Sequence, residues 1–412
     1  IPRAQESQFT HNELRYNIGT GWSFSIPSIN TSAHNQTLYL PGVGAFGIKL
    51  GDNTFLDYPR KDMTLSGNTK YNNGQFQSTK ALTFLDGTVY YFNADGLLLA
   101  MVDRYDTTVT FKYAQSGDGW YPSEIVDADG STTTFTYTDT DNGKQIAITA
   151  PDESRTVLTT QAQNAETLDY VLTDIQYADG ERITFDYKEE TGVFNFSGLA
   201  DRPLNYRLLS RVSYDTGASV FYDYKGLQTA PGGFTKLDVY RVAKRYTTKS
   251  SEQDEICSET FYTYSGDYGS GSGYSTKTKQ QFSNGDELFV CYTFSTRHRC
   301  IQQDTGLNTR TYKSVRTQYD SYGMPKRITT TSYGTERMER EERYEYNRYG
   351  QIITHYPAKL SGKSTGYQDK YRTNYTYSSN GLLKSVEYSP YSTRVKTVNT
   401  LTADKKSIAE SC

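Results

Sequence analysis

Met101-Val102-Asp103-Arg104-Tyr105-Asp106-Thr107-Thr108-Val109-Thr110-Phe111-Lys112-Tyr113 is echoed by Ile125-Val126-Asp127-Ala128-Asp129-Gly130-Ser131-Thr132-Thr133-Thr134-Phe135-Thr136-Tyr137. The turn positions, Asp106 and Gly130, lie 130 − 106 = 24 residues apart. Relative to each, an apolar residue stands five before, a β-branched residue three after, Phe five after and Tyr seven after. The last three share parity and point to one face of an extended strand, while Thr110 and Lys112, or Thr134 and Thr136, point to the other. Apolar alternation on both sides of a tight turn reads as a β-hairpin.

Working outward, the same pattern surrounds Gly180 (Ile175, then Ile183, Phe185 and Tyr187) and Gly217 (Val212, then Val220, Tyr222 and Tyr224). A fainter copy follows Gly285, with Leu288, Val290 and Tyr292, and a decayed one runs from Ile148 through Glu153 to Leu158. A second version reads as one residue longer. It occurs at Phe92 to Leu98, Tyr319 to Pro325, Tyr346 to Ile352 and Tyr377 to Leu383, with Gly at 96, 323, 350 and 381. Gly is the residue a turn uses where φ must be positive, and the neighbouring Asn or Asp supplies local hydrogen bonds. Self-similarity on this scale indicates a repeat array, in which each unit buries its apolar face against the next.

Composition agrees with broad, partly wet sheets. Hydrophobic residues make up 35% of the 412, with 38 Tyr and 18 Phe, against roughly 45–50% apolar, a count that includes Gly, in a typical soluble domain. Tyrosine can bury its ring and keep its hydroxyl in water. A net charge of −3 with both signs interspersed provides no basic patch for nucleic acid. No run of about 18 apolar residues is present to cross a membrane as a helix. The chain begins at Ile1 without a signal peptide and is read as a fragment or processed product. Cys257, Cys291, Cys300 and Cys412 allow three pairings, and their pairing stays open. Cys300 occupies the place of Leu98, Ile352 and Leu383 in other copies, so a buried apolar role is favoured over a disulfide or surface thiol.

Three regions follow. Residues 1–80 form a β-rich N-terminal cap, 81–400 the repeat sheet, and 401–412 a tail expected to be disordered or continued elsewhere. The charged run from Glu336 to Glu345 leads into Tyr344-Glu345-Tyr346 and is read as a solvent-facing strand rather than a helix. Loops are expected at Pro231-Gly232-Gly233 and from Ser265 to Ser275.

These repeats, together with Gly19-Thr20-Gly21-Trp22, resemble the rearrangement-hotspot (Rhs) or YD-repeat family. Tyr214-Asp215 and Tyr319-Asp320 match the pairs that name it. Asp103-Arg104-Tyr105-Asp106 is similar to its Asp-Arg-x-Gly turn, with Asp106 in the place of Gly. The resemblance covers roughly residues 14–390. It implies an all-β fold in which antiparallel hairpins form an extended, curved sheet, part of a spiralling hollow shell. Such shells enclose a toxic C-terminal domain in bacterial polymorphic toxins and toxin-complex proteins, and a related shell serves adhesion in teneurins. This chain is much shorter than a complete shell. No stretch of the 412 residues matches the family's C-terminal self-cleavage region or a toxin domain, and this piece is expected to lack both.

No catalytic, cofactor-binding or metal-binding residue is singled out. His11, His34, His298 and His355 are scattered, and no HExxH, CxxC, P-loop or nucleophile-elbow pattern occurs. Asp139-Thr140-Asp141-Asn142-Gly143 lacks the spacing of a calcium loop and reads as a hairpin turn. The leading expectation is a non-enzymatic structural shell segment of a secreted or cell-surface bacterial protein. It would enclose or scaffold a cargo, with partners being the remainder of a longer chain, that cargo or a second copy. The alternative is a carbohydrate-binding adhesin that stacks glycans on exposed tyrosines.

Overall fold

The computed structural model describes residues 16–33, 35–116, 119–164, 169–230, 234–249, 256–266, 273–282, 284–360, 365–388, 394–402 and 406–411. The described residues are almost entirely β, strands joined by turns. Twenty-six antiparallel strands, from Met63–Gly67 to Ile408–Ser411, follow one another in chain order in one closed sheet. The sheet therefore begins inside the region read as a cap, and the stretch read as a tail supplies its last strand. The charged run forms the strand Arg337–Tyr346. The single helix among the described residues, Thr365–Lys370, had no signal in the sequence. It delivers Gln368, fully buried, whose Nε2 donates to the Glu341 and Pro357 carbonyls at 2.7 and 3.0 Å where the adjoining ladder breaks register. Asp139 to Gly143 is the end of one hairpin and the start of its return, with Thr140 paired to Gly143. The loop read at 231–233 and residues 267–272 of the loop read from Ser265 to Ser275 lie outside the described residues; at its ends Ser265 and Ser275 are already paired strand.

Alternation separates two faces. One carries the repeat Phe and Tyr residues. The other is laced with cross-strand ion pairs, including Lys112–Glu124 at 2.7 Å, Arg211–Asp186 at 2.6 Å and Lys244–Glu259 at 2.6 Å. Partly exposed pairs of this kind contribute about 0–1 kcal/mol each, so they mark the solvent side more than they hold the fold.

The two turn versions have the same backbone. In residues 103–107, Asp103 N–H donates to the Thr107 carbonyl and Asp106 N–H to that of Asp103; residues 93–97 repeat both bonds from Asn93 and Gly96. What differs is position. Turns at Asp106, Gly130, Glu153, Gly180, Gly217 and Gly285 lie on one rim of the sheet, termed lower; those at Gly96, His298, Gly323, Gly350 and Gly381 lie on the upper rim. The apparent extra residue after an upper turn is a β-bulge: Leu99, Ile301, Lys326, Ile353 and Lys384 are each skipped in the pairing. Such a residue bends its strand and leaves backbone groups off the ladder.

Closure is staggered and is made by the rims. Leu85 on the lower rim lies where a side chain on Gly381 of the upper rim would sit, 2.9 Å from its ideal Cβ. Lys61 N–H donates to the Arg348 carbonyl at 3.0 Å, and Lys406 pairs with Asp106 at 2.9 Å. Turn 85–88 follows the second strand of the sheet and turn 378–382 the twenty-third; turn 103–107 follows the fourth and turn 402–407 the twenty-fifth. Both offsets are 21 strands (23 − 2 and 25 − 4), so the return overlaps the start by 26 − 21 = 5 strands. A second closure is local. The long strands Arg182–Phe196 and Phe234–Thr248 also pair at their tips, Phe194 with Leu237 and Phe196 with Phe234. This makes a four-stranded finger around Leu204, Tyr206 and Leu208.

Apolar burial is divided among three clusters rather than gathered in one core. After Tyr246 only Phe289 and Tyr356 are buried hydrophobics among the described residues. The protein exposes 23126 Å², where a compact monomer of 46.7 kDa exposes about 16,000 Å².

Candidate functional site: the tyrosine ladder and the segment seated on it

The Tyr seven residues after the lower turns at Asp106, Gly130, Gly180 and Gly217 has a defined task. Tyr113, Tyr137, Tyr187 and Tyr224 donate their hydroxyls to the carbonyls of Leu98, Pro122, Leu172 and Leu209, at 2.6, 2.9, 2.8 and 2.8 Å and always 15 residues upstream. Each acceptor immediately precedes a bulged residue of the neighbouring strand: Leu99, Ser123, Thr173 and Ser210. The bulge withdraws that carbonyl from the ladder, and a buried carbonyl without a partner is costly. Tyr264, Tyr319, Tyr346 and Tyr377 repeat the contact with Val242, Cys300, Pro325 and Ile352, again one residue before a bulge. In the last copy Asn399 replaces tyrosine and donates to the Leu383 carbonyl at 2.8 Å. Burial raises the pKa of Tyr137, Tyr187, Tyr224, Tyr264, Tyr319, Tyr346 and Tyr377 above the ordinary tyrosine value.

The first half of this ladder is covered by the chain's own N-terminal segment. Tyr16 stacks on Tyr113 with centroids 5.9 Å apart, Phe24 meets Phe135 edge-on at 5.4 Å, and Trp22 packs on Phe185 at 4.9 Å. Trp22 Nε1 donates to the Tyr187 hydroxyl at 2.8 Å, which in turn donates to Leu172. Gly19, at φ 144°, lies against the same strand: a Cβ there would stand 2.8 Å from the Leu172 nitrogen. Thr20 N–H donates to the Tyr170 carbonyl alongside. The Gly-x-Gly-Trp motif thus seats a tryptophan on one Tyr–bulge contact. Ile26, Ile29, Leu38, Leu40 and Ile48 extend the cover over Leu65, Leu82, Phe92 and Leu98.

The second half has no such cover among the described residues, and its chemistry differs. The ladder face there mixes Tyr264, Tyr292, Tyr319, Tyr344 and Tyr375 with Thr276, Thr278, Lys313, Arg340 and Glu342. Aliphatic cover is thus matched to an aliphatic stretch of wall, and the stretch without it is polar.

The two histidines among the described residues, His298 and His355, lie on separate elements and are not brought together. His298 lies in an upper turn at φ 58°; His355 stacks on Tyr344 at 4.7 Å, with Nε2 3.8 Å from Glu342. His11 and His34 lie outside the described residues. Among the described residues no cluster of His, Cys, Asp and Glu could hold a metal ion. No helix among them is long and apolar enough to cross a membrane. Cys291 and Cys300 are free thiols. Cys300 is half-buried, and its carbonyl, not its sulfur, serves the ladder.

No protein-family model matches this chain, and no curated protein matches it. Among solved structures it is similar to a chain of the crystal structure of TcdB2-TccC3-TEV, at 11% identity and a TM-score of 0.17, covering 92% of this chain and 27% of that one. The chain therefore spans about a quarter of that chain's length. At this score the fold stands on its own geometry.

Proposed function

We propose that this chain is a non-enzymatic wall segment of a secreted or cell-surface bacterial protein of the Rhs or YD-repeat type, separating a ladder-lined side from solvent. The observation that carries this reading is the constant 21-strand offset at which the two rims meet. A sheet that returns on itself in this way is a wall. The divided apolar clusters and the excess surface support the same reading. The seated N-terminal segment supports a guest of one kind: extended polypeptide whose aromatic side chains land on the Tyr–bulge contacts. A cargo or the remainder of a longer protein would meet the polar second half.

Small-angle scattering on the monomeric fraction tests this. A wall gives a radius of gyration well above the roughly 22 Å of a compact 412-residue globule, and a value at that limit would refute it. The adhesin alternative has less to stand on, because the ladder tyrosines are committed to carbonyls and partly roofed. Saturable glycan-array binding lost on substituting Tyr312, an exposed ring, would favour that alternative.

A further inference from the structure

We infer that Tyr264 and Tyr346 form a second seat on the ladder, for an extended polypeptide with two donor-tipped aromatic residues six positions apart, as Tyr16 and Trp22 are. This rests on the reading of the chain as a wall and names the chemistry of its guest. Its basis is how the chain's own segment is held. The Tyr113 hydroxyl gives its proton to the Leu98 carbonyl, so across the 3.0 Å contact with the Tyr16 hydroxyl it is the acceptor. The Tyr187 hydroxyl likewise donates to Leu172 and accepts from the Trp22 indole N–H at 2.8 Å. A ladder tyrosine thus keeps an open acceptor after serving its carbonyl. The guest rings rest on aromatic neighbours, Tyr16 on Tyr113 and Trp22 on Phe185, two residues before Tyr187. A buried indole N–H or phenol needs a hydrogen-bond partner, and the ladder hydroxyl supplies one.

The same spacing returns further along the sheet. Tyr113 and Tyr187 lie on its fifth and eleventh strands, Tyr264 and Tyr346 on its fifteenth and twenty-first, so both pairs are six strands apart (11 − 5 and 21 − 15). The Tyr264 and Tyr346 hydroxyls donate to the Val242 and Pro325 carbonyls at 2.8 and 2.9 Å, and no donor among the described residues reaches either oxygen. Tyr262 and Tyr344 stand two residues before them, as Phe111 and Phe185 do in the first pair, and all four tyrosines are half-buried. Arg241 over Tyr264 and His355 beside Tyr344 flank the two sites from neighbouring strands. Tyr224 and Tyr319 share the six-strand spacing, but Thr317 takes the place of the second ring. Tyr137 shares it with Tyr224, but Phe135 beside it already carries Phe24.

What lies between the two seats of a pair sets the rest of the guest. In the first pair Ile146 and Leu158 share a cluster with Ile18 of the seated segment. In the second, Thr276, Thr278 and Gln303 face the interval. Hydroxyls and amides there match peptide groups and polar side chains, and they would be left unpaired under an aliphatic residue. The guest is therefore polar between its two aromatic residues.

Fluorescence anisotropy on the full chain tests this with a fluorescein-labelled peptide of residues 16–24 that carries Ile18→Ser. Saturable one-to-one binding is expected. Exchanging the peptide's tryptophan for naphthylalanine keeps the fused rings and removes the N–H; it is expected to weaken binding about three- to tenfold. Exchanging its tyrosine for phenylalanine should do the same. Tyr264→Phe/Tyr346→Phe is expected to weaken the parent peptide at least about tenfold and to abolish its advantage over the naphthylalanine peptide. Tyr377→Phe makes the same change at a ladder contact outside the pair and should bind as the wild type does. Absence of binding, equal affinity for the parent and naphthylalanine peptides, a double variant that binds as the wild type, or a Tyr377→Phe variant that loses binding would each overturn the inference. So would displacement of the peptide by cellohexaose at equal concentration, which would assign the seat to sugars. The exchanges in the peptide alter no residue of the protein, so the comparison survives a variant that unfolds. A compact radius of gyration would instead sink the wall reading, and the two failures are read by different measurements.

Discussion

The carboxylate of Asp106 stands 2.9 Å from the ammonium of Lys406, 300 residues further along the chain. Asp106 has φ 69°, where the equivalent turns at 130, 180 and 217 use glycine. Aspartate tolerates that region better than most residues, and here its side chain reaches across the seam between rims. Asp106→Gly is expected to change stability by no more than about 1 kcal/mol, since relieved backbone strain offsets the lost pair. The pair itself is expected to show in a double-mutant cycle of Asp106→Asn with Lys406→Met, as a coupling of about 0.2–1 kcal/mol at low salt that fades in molar salt. No coupling at low salt would place the two rims apart in solution.

Tyr187 tests the bulge contacts. Tyr187→Phe keeps the ring on the sheet but leaves the Leu172 carbonyl and the Trp22 indole N–H without the partner they share. The expected loss is about 1–3 kcal/mol in urea unfolding. Tyr137→Phe, which strands only the Pro122 carbonyl, should lie at the lower end. Tyr312→Phe, at an exposed ring, should fall within about 0.5 kcal/mol of wild type. Equal midpoints for all three variants would show the hydroxyls to be incidental.

Much of this was legible before the structure. The alternation Val109, Phe111, Tyr113 identified the faces, and the two turn versions turned out to be the two rims. The supernumerary residue of the second version is the bulge, visible as a one-residue offset although its cause was not. The capping carbonyls were invisible, because they lie on the preceding strand and bear no side-chain signal. Nor could periodicity reveal what covers Phe111, Phe135 and Phe185. Phe135 and Phe185 are covered by Phe24 and Trp22, and Phe111 joins the cluster that holds Tyr16; contacts so remote in sequence are set by tertiary packing. The rim-to-rim return was hidden for the same reason.

Alkaline pH should weaken the fold through the ladder. Burial raises the pKa of Tyr187, Tyr224 and Tyr264 in the folded chain above the ordinary value near 10. The unfolded chain therefore gives up these protons first. Stability is complete below about pH 10 and falls as pH climbs towards the folded values, each such tyrosine adding up to about 1.4 kcal/mol per pH unit to the slope. Urea midpoints at about pH 8, 10 and 11 are expected to drop steeply only across the last interval, and Tyr224→Phe to shallow the drop. A flat profile through that range would contradict buried, hydrogen-bonded hydroxyls.

Two glycines separate backbone strain from loss of the seated segment. Gly180 has φ 92° with nothing within 4 Å of its ideal Cβ. Gly180→Val should therefore cost about 1–3 kcal/mol from conformation alone and leave distant contacts in place. Gly19 combines φ 144° with a Cβ site 2.8 Å from the Leu172 nitrogen, where only backbone movement could make room. Gly19→Ala is expected to lift the segment from its strand and carry Trp22 away from Phe185 and Tyr187. The chain has two tryptophans, so the readout belongs in a Trp120→Phe background, where emission reports Trp22 alone. Gly19→Ala should shift that emission to the red while Gly180→Val leaves it unmoved, although both lower the urea midpoint. Unchanged Trp22 emission in Gly19→Ala would mean that the Gly-x-Gly-Trp motif does not seat the segment.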